Sequence, residues 1–332
     1  MTPQEIGHAF HAESGSYAVG IPTIDVPVFQ TEKTGTRYLK APGVTILAYT
    51  VNNRESLRGF LEGFDPDLEF REYLNDAYRW TVGDMVETAE GKTFQPDPSC
   101  ETQVIPDSAQ LIKIAGQLCY MSFGPDRTRN AETRKYMHNI IASGHGSVLE
   151  HPNVTLLLYG ISRSLTHELV RHRAGMAFSQ LSQRYVDGSR LRFVERPEYQ
   201  TDPELHAKFE EEIDRQAALY EDTAQTLLQR QESGTGILSG EKKRDRRKKV
   251  NQAARSVLGN HAEAPIVVTG NLRSWRHVFN MRTSEHAEVE IRRAMYRAFL
   301  CLAMLDPITF GDFEIVEFAD GTKGVKTPYP KV

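Results

Sequence analysis

Three arginines, one histidine and two serines crowd into fifteen residues, Arg171-His172-Arg173-Ala-Gly-Met-Ala-Phe-Ser179-Gln180-Leu-Ser182-Gln183-Arg184-Tyr185. Guanidinium forks bind phosphate through paired, charge-assisted hydrogen bonds, and hydroxyls add neutral donors where more positive charge would repel itself. The segment therefore suits a doubly anionic ligand, a phosphorylated substrate or cofactor. Basic residues also favour a helix C-terminus through the macrodipole, so Arg-His-Arg in isolation leaves a purely structural role open.

Two further clusters carry chemistry. In His145-Gly-Ser147-Val-Leu-Glu150-His151 the spacing is not the i, i+4 histidine pairing of helical zinc signatures, so no metal is expected. Ser147 and Glu150 could hydrogen-bond a polar cofactor, or Ser147 could cap a helix. The other cluster is Asn271-Leu-Arg273-Ser-Trp-Arg276-His277, continued by Met281-Arg282 to Arg292. Read alone, it is equally a polar helix laced with i, i+4 pairs such as Glu288 with Arg292. A Walker loop, a G-x-S-x-G elbow and a Gly-rich Rossmann fingerprint are absent, and no base–orienter pair accompanies Ser182 to make it a nucleophile.

The elements that must position these residues are legible in part. β-Branched and apolar runs predict strands at 44–51, 154–159 and 266–269. Helical periodicity predicts helices near 68–80, 108–120, 131–143, 163–173 and 204–232, another after the Gly/Ser break at 233–240 through 258, and a C-terminal helix across 291–302 closed by Pro307. If the 163–173 helix runs through Arg173, Arg171 and Arg173 diverge by about 200° and serve different ligands or subunits. Residues 313–318 and Asp320-Gly321 suggest a terminal hairpin. Residues 1–38 read as a partly ordered extension without catalytic residues, 39–332 as one domain, and the acidic stretch at about 52–105 as an insertion. The mixture gives an α/β (α+β) class.

Composition sets limits. The chain has 332 residues, 39% hydrophobic and 25% charged, and lacks the roughly 20-residue apolar run of a membrane helix. The N-terminus lacks a basic, apolar signal, so a cytoplasmic location is expected. A net charge of −4 makes the arginines a local pocket rather than a nucleic-acid track. Cys100, Cys119 and Cys301 show no C-x-x-C spacing and read as isolated thiols.

Taken jointly, the segments from 108 to 325 resemble the flavin-dependent thymidylate synthases: His145-Gly-Ser-Val-Leu-Glu-His151, Gly160-Ile-Ser-Arg-Ser164, Thr166-His-Glu-Leu-Val-Arg-His-Arg173, Ser179-Gln-Leu-Ser-Gln-Arg-Tyr185, Val268-Thr-Gly-Asn-Leu-Arg273 and Met281-Arg-x-Ser-Glu-His-Ala287. The resemblance implies a homotetramer with a central sheet, long helices and active sites at subunit interfaces. It implies reductive C5-methylation of dUMP, with methylenetetrahydrofolate and NADPH as cosubstrates and FAD as hydride carrier. It places Ser147, Glu150, Arg171, His172, Arg173, Gln180, Asn271, Arg273 and His277 near FAD, and Glu168, Arg171, Gln180, Ser182, Gln183, Arg184, Arg255 and Arg282 around the nucleotide. By the same resemblance Arg282 is catalytic, engaging the uracil and promoting ionisation at N3. A guanidinium acts there as an electrostatic group and not as a base.

One departure stands out. Eight residues, Ala174 to Leu181, separate Arg173 from Ser182, where the family usually has seven. A longer loop beside the sugar and phosphate could admit the 2′-hydroxyl of UMP, as in a specialised branch serving nucleoside-antibiotic biosynthesis. The alternative is a noncatalytic nucleotide- or RNA-binding protein using the same arginines, with the basic run 242–249 as its strongest feature; such a run is more often a solvated helix face.

Overall fold

A computed structural model describes residues 1–64, 79–80, 83–88, 91–96, 103–123, 133–233 and 243–332. Its strands are β1 Gly15–Ala18, β2 Ile21–Ile24, β3 Phe29–Gln30, β4 Arg37–Leu39, β5 Gly43–Tyr49, β6 Arg79–Trp80, β7 Gly83–Thr88, β8 Gly91–Pro96, β9 Gln103–Val104, β10 Asn153–Tyr159, β11 Met176–Gln180, β12 Phe193–Val194, β13 Ile266–Asn271, β14 Glu314–Glu317 and β15 Lys323–Lys326. Six of them form the main sheet, in the order β1-β2-β5-β10-β13-β11, and every pairing in it is antiparallel. The class is thus mixed helix and sheet, on the α+β side.

Alternation decides which face of the sheet is covered. Val44 and Ile46 of β5, Leu156 and Leu158 of β10, and Ile266 and Val268 of β13 are buried on one side. They share a core with the Val289–Leu305 helix, whose Ile291, Ala294, Met295, Ala298, Phe299 and Leu302 are fully covered. On the other face Thr45, Thr155, Leu157, Val267 and Thr269 are half-buried, and Leu47, at the β5 irregularity, is 51% exposed.

The expectation of a partly ordered extension is corrected. Residues 1–38 contain the Pro3–Ala12 helix, opened by a capping box in which Thr2 accepts from Glu5 N and Glu5 accepts from Thr2 N. Ile6 and Phe10, one helical turn apart, are fully buried in the main core, and β1 and β2 extend the main sheet. Short helix and strand signals of this kind carry little periodicity, and tertiary burial fixes them.

Other expectations need smaller revisions. The helix expected at 163–173 stops at Leu169, because the chain turns through Gly175, at φ 67°, to lay β11 along β13. Arg171 and Arg173 are therefore in a turn, and the helical argument for their divergence does not apply. The Glu288–Arg292 pair does not form: Arg292 bonds Asp320, Thr322 and two carbonyls, while Glu288 pairs with Arg196. Most of the helix expected at 68–80 lies outside the described residues, and its end, Arg79–Trp80, is a strand. The Gly/Ser break lies largely outside them as well.

The long helix is Pro203–Glu232, capped by Asp202, and it packs against Lys243–Ala254. The terminal hairpin is β14 with β15.

Candidate active site

The Leu272–Arg282 helix starts directly from β13, with Asn271 as its N-cap: Oδ1 accepts from Ser274 N at 2.8 Å. Its last residue, Arg282, meets the Arg163–Leu169 helix and the turn after it. Nε donates to His172 Nε2 at 2.8 Å, Nη1 to Glu168 Oε2 at 2.9 Å, and Nη2 to Glu168 O at 3.2 Å. Two stretches distant in sequence are thus joined, and the guanidinium is held rigidly while one N–H on each of Nη1 and Nη2 remains for a ligand.

His172 has its proton position set by this contact. Because Nε2 accepts from a permanent cation, the ring is neutral and carries hydrogen on Nδ1. Burial, then the Arg282 charge and His277, push its pKa down to about 4, which agrees with that geometry. The His277 ring stands edge-on at 5.8 Å between centroids.

Beyond His277 a cleft of about 350 Å³ is lined by Glu150, Gly175, Asn271, Arg273, Ser274 and the C-terminal Pro330 to Val332, among others. Arg273 Nη1 donates to Glu150 Oε1 at 2.6 Å and lies across Gly146, where a Cβ would come within 2.8 Å of Arg273 Nε. At Gly175 a Cβ would lie 2.2 Å from Ser274 Oγ, so that wall admits only glycine. Ser147 is exposed in the Gly146–Glu150 turn, and no side chain caps that turn. Arg171 and Arg173 are exposed and have no ion-pair partner among the described residues.

At the other end of β11 the situation is reversed. Gln180 lies opposite Ile266, whereas Met176 lies opposite Gly270, so Gln180 and the cleft are about 13 Å apart along the strand. Gln180 Nε2, Gln183 Nε2 and Arg184 Nε are all buried without a hydrogen-bond partner among the described residues. Ser182 is half-buried beside them, and Tyr185 presents its ring to Lys248 Nζ, 4.9 Å from the centroid. Arg255 is half-buried in the Arg255–Val257 turn that follows the Lys243–Ala254 helix. Arg247 and Lys248 of the basic run fold back on this loop, Arg247 pairing with Asp187.

Single-chain geometry therefore yields two part-sites. One holds Arg282, Glu168, His172, His277, Asn271, Arg273 and Glu150; the other holds Gln180, Ser182, Gln183 and Arg184. Sequence reasoning missed Gly175, Ser274 and the C-terminal residues as cleft walls, and only the turn glycine left a local signal. Among the described residues no His/Cys/Asp/Glu group could hold a metal ion, and no helix is long and apolar enough to cross a membrane. Cys301 is buried with its thiol pKa pushed up by burial, and Cys119 is exposed; Cys100 lies outside the described residues.

Residues 102–308 match the family described as thymidylate synthase complementing protein. The flavin-dependent thymidylate synthase of Mycolicibacterium gilvum is 43% identical over 237 residues, covering 71% of this chain and 92% of that protein. The one from Corynebacterium glutamicum is 38% identical, covering 74% and 95%. The chain belongs to this family of enzymes. A UMP/dUMP methylase, PolB from Streptomyces cacaoi, solved with 5-Br dUMP, superposes with a TM-score of 0.45 at 22% identity, covering 61% of this chain and 88% of that one. A likeness at that level fixes no property of this chain.

Proposed function

We propose that this enzyme reductively methylates C5 of a uridine 5′-monophosphate. The substrate is dUMP, with UMP also accepted; methylenetetrahydrofolate gives the carbon and NADPH the electrons, through bound FAD. The observation that carries this reading is the set of buried donors on Gln180, Gln183 and Arg184 without acceptors among the described residues. Leaving each such group unpaired costs about 1–3 kcal/mol, so the loop is built for a ligand rich in acceptor oxygens. A nucleotide phosphate and sugar supply them, and Ser182, Arg171 and Arg255 add donors.

Arg282 does the electrostatic work. Uracil C5 becomes nucleophilic when electron density is pushed into the ring, and a fixed guanidinium beside N3 and the C2 carbonyl stabilises the resulting negative charge. Glu168 and His172 hold it in place, so little reorganisation accompanies the reaction. His172 as arranged cannot take the N3 proton, since Nε2 already accepts from Arg282 and Nδ1 carries hydrogen. The proton leaves through another group or water.

The cleft suits part of a flavin dinucleotide: charged and polar side chains of Arg273, Glu150, Asn271 and Ser274 line it beside Gly175, and at about 350 Å³ it is near the lower end of the usual size for small-molecule sites. Arg273, Glu150, His277, Asn271 through its Nδ2, Ser147, His172 and Arg173 would hold it, with Gln180 and Arg171 reaching it from a neighbouring copy. When bound, FAD supplies the hydride that side chains lack.

The separation of the two part-sites along β11 favours assembly, and the half-buried sheet face with Leu47, Leu157 and Val267 offers apolar area for it. A homotetramer completes the site between copies in this reading. The eight-residue spacing from Arg173 to Ser182 supports room for a 2′-hydroxyl and hence a role in nucleoside-antibiotic formation.

Incubation with methylenetetrahydrofolate and NADPH should convert dUMP, and UMP more slowly, to the 5-methyl nucleotide, followed by chromatography. Absence of UMP turnover alongside active dUMP turnover removes the enlarged-loop idea. Absence of both removes the reading.

A further inference from the structure

Residues 31–36 close the hairpin between β3 and β4 and lie outside the 102–308 stretch that matches the family. The turn is tied by Thr31 N donating to Thr36 O and Gly35 N donating to Thr31 O, each at 3.0 Å, with Gly35 at φ 75°. Its hydroxyls converge on one carboxylate oxygen. Thr31 Oγ1 donates to Asp214 Oδ1 at 2.7 Å, and Thr34 Oγ1 donates to the same atom. Asp214, on the Pro203–Glu232 helix, is 7% exposed, so these bonds satisfy a carboxylate that would otherwise be costly to bury.

From this tie point the hairpin reaches the segment that follows the nucleotide loop. Arg37 Nη2 donates to Arg190 O at 2.9 Å. β4 then pairs in parallel with β12, Tyr38 opposite Phe193 and Leu39 opposite Val194. Tyr38, Phe193, Phe209, Ile213 and Ala262 form a small core of their own, separate from the main one. The loop 181–190 is thus held at its front by Leu181 N donating to Pro265 O at 2.9 Å, and at its rear by Arg37 and β12. Between the two anchors sit the unpaired donors of Gln183 and Arg184.

A loop fixed at both ends loses less freedom when a ligand orders it, so the anchors contribute to affinity without touching the ligand. We infer that the 29–39 hairpin is a brace for the nucleotide loop, with Arg37 and Asp214 as positioning residues for substrate; this rests on the reading of that loop as the nucleotide's binding segment. The brace governs nucleotide binding and leaves the Arg282 chemistry alone.

The test is calorimetric titration of dUMP into flavin-loaded, full-length protein, paired with steady-state kinetics. Arg37 is exposed, so Arg37→Ala keeps the fold and reads the brace directly. Its Kd and KM for dUMP should rise roughly three- to tenfold, the worth of one hydrogen bond, with kcat at saturation and flavin content unchanged. Asp214→Ala should act in the same direction, while Arg37→Lys and Asp214→Asn, which retain a donor and an acceptor, should recover most of the affinity. A wild-type Kd in Arg37→Ala overturns the brace, as does a fall in kcat with Kd unchanged. Failure of the wild type itself to bind dUMP instead overturns the nucleotide reading.

Discussion

Arg282 and Arg184 are proposed to meet the same nucleotide, yet their surroundings differ in kind. Arg282 has Glu168 and His172 around it, with three hydrogen bonds already made. Arg184 keeps a buried Nε, and Gln180 and Gln183 each a buried Nε2, without an acceptor among the described residues. A group that must stabilise developing charge gains from being fixed beforehand, because no reorganisation is then needed at the moment of reaction. A group that must capture substrate gains from having its bonds unmade, because the ligand then relieves a standing penalty. In the proposed reading the contrast separates a catalytic region from a capture region within one chain.

The largest effect should come from the satisfied region. Arg282→Ala should lower turnover by about 10²–10³-fold, measured with saturating dUMP, while retaining folded, flavin-bound protein. Arg282→Lys should not recover it, since one ammonium cannot fork between Glu168 and His172. Turnover close to wild type in either variant would erase the contrast. The capture region should answer differently: Arg184→Ala should weaken dUMP binding by about 10- to 100-fold in a calorimetric titration. Without nucleotide, Gln183→Met should leave the melting temperature unchanged or raised, because it removes an unpaired buried amide. A marked fall would mean that the amide has a partner in the protein.

A smaller effect is expected at the cleft. Arg273→Ala breaks an exposed pair with Glu150, worth little to stability, so flavin affinity should drop by roughly tenfold with the melting temperature nearly constant. The smallest concerns His172, whose value near 4 lies below the ordinary 6.5. Unfolded chain takes up more protons between those values, so this contribution to stability is complete above pH 6.5, declines as pH falls, and levels off below about 4. Nitrogen NMR should find the ring neutral, with hydrogen on Nδ1, at pH 6; a doubly protonated ring there would contradict the Arg282 contact.

Long periodic elements were legible from the residues alone. The strands at β5, β10 and β13 and the helices at 107–120, 203–232 and 289–305 follow their apolar spacing closely. β11 was not, because its alternation, Met176, Phe178 and Gln180 against Ala177 and Ser179, sits inside a motif dominated by charge. The N-terminal hairpins were missed because their partners, β5 and Asp214, are distant in sequence. Among site residues, the arginines stood out by type, but Glu168 came only from resemblance, as a nucleotide contact, and its hold on Arg282 had no local signal. Buried carboxylates such as Glu290, which accepts from Ser162 N and Oγ at 2.7 Å each, gave no local signal.

The central claim is that a uridylate held by residues 180–184 lies against a flavin held beside Arg273 and His277, near Arg282. Titrating dUMP into the purified yellow protein while following the flavin absorbance tests it most directly. The expected result is a saturable spectral change that is retained in Arg282→Ala and shifted to much higher dUMP concentration in Arg184→Ala. A protein that binds flavin but shows no spectral response to dUMP at any concentration would contradict the account.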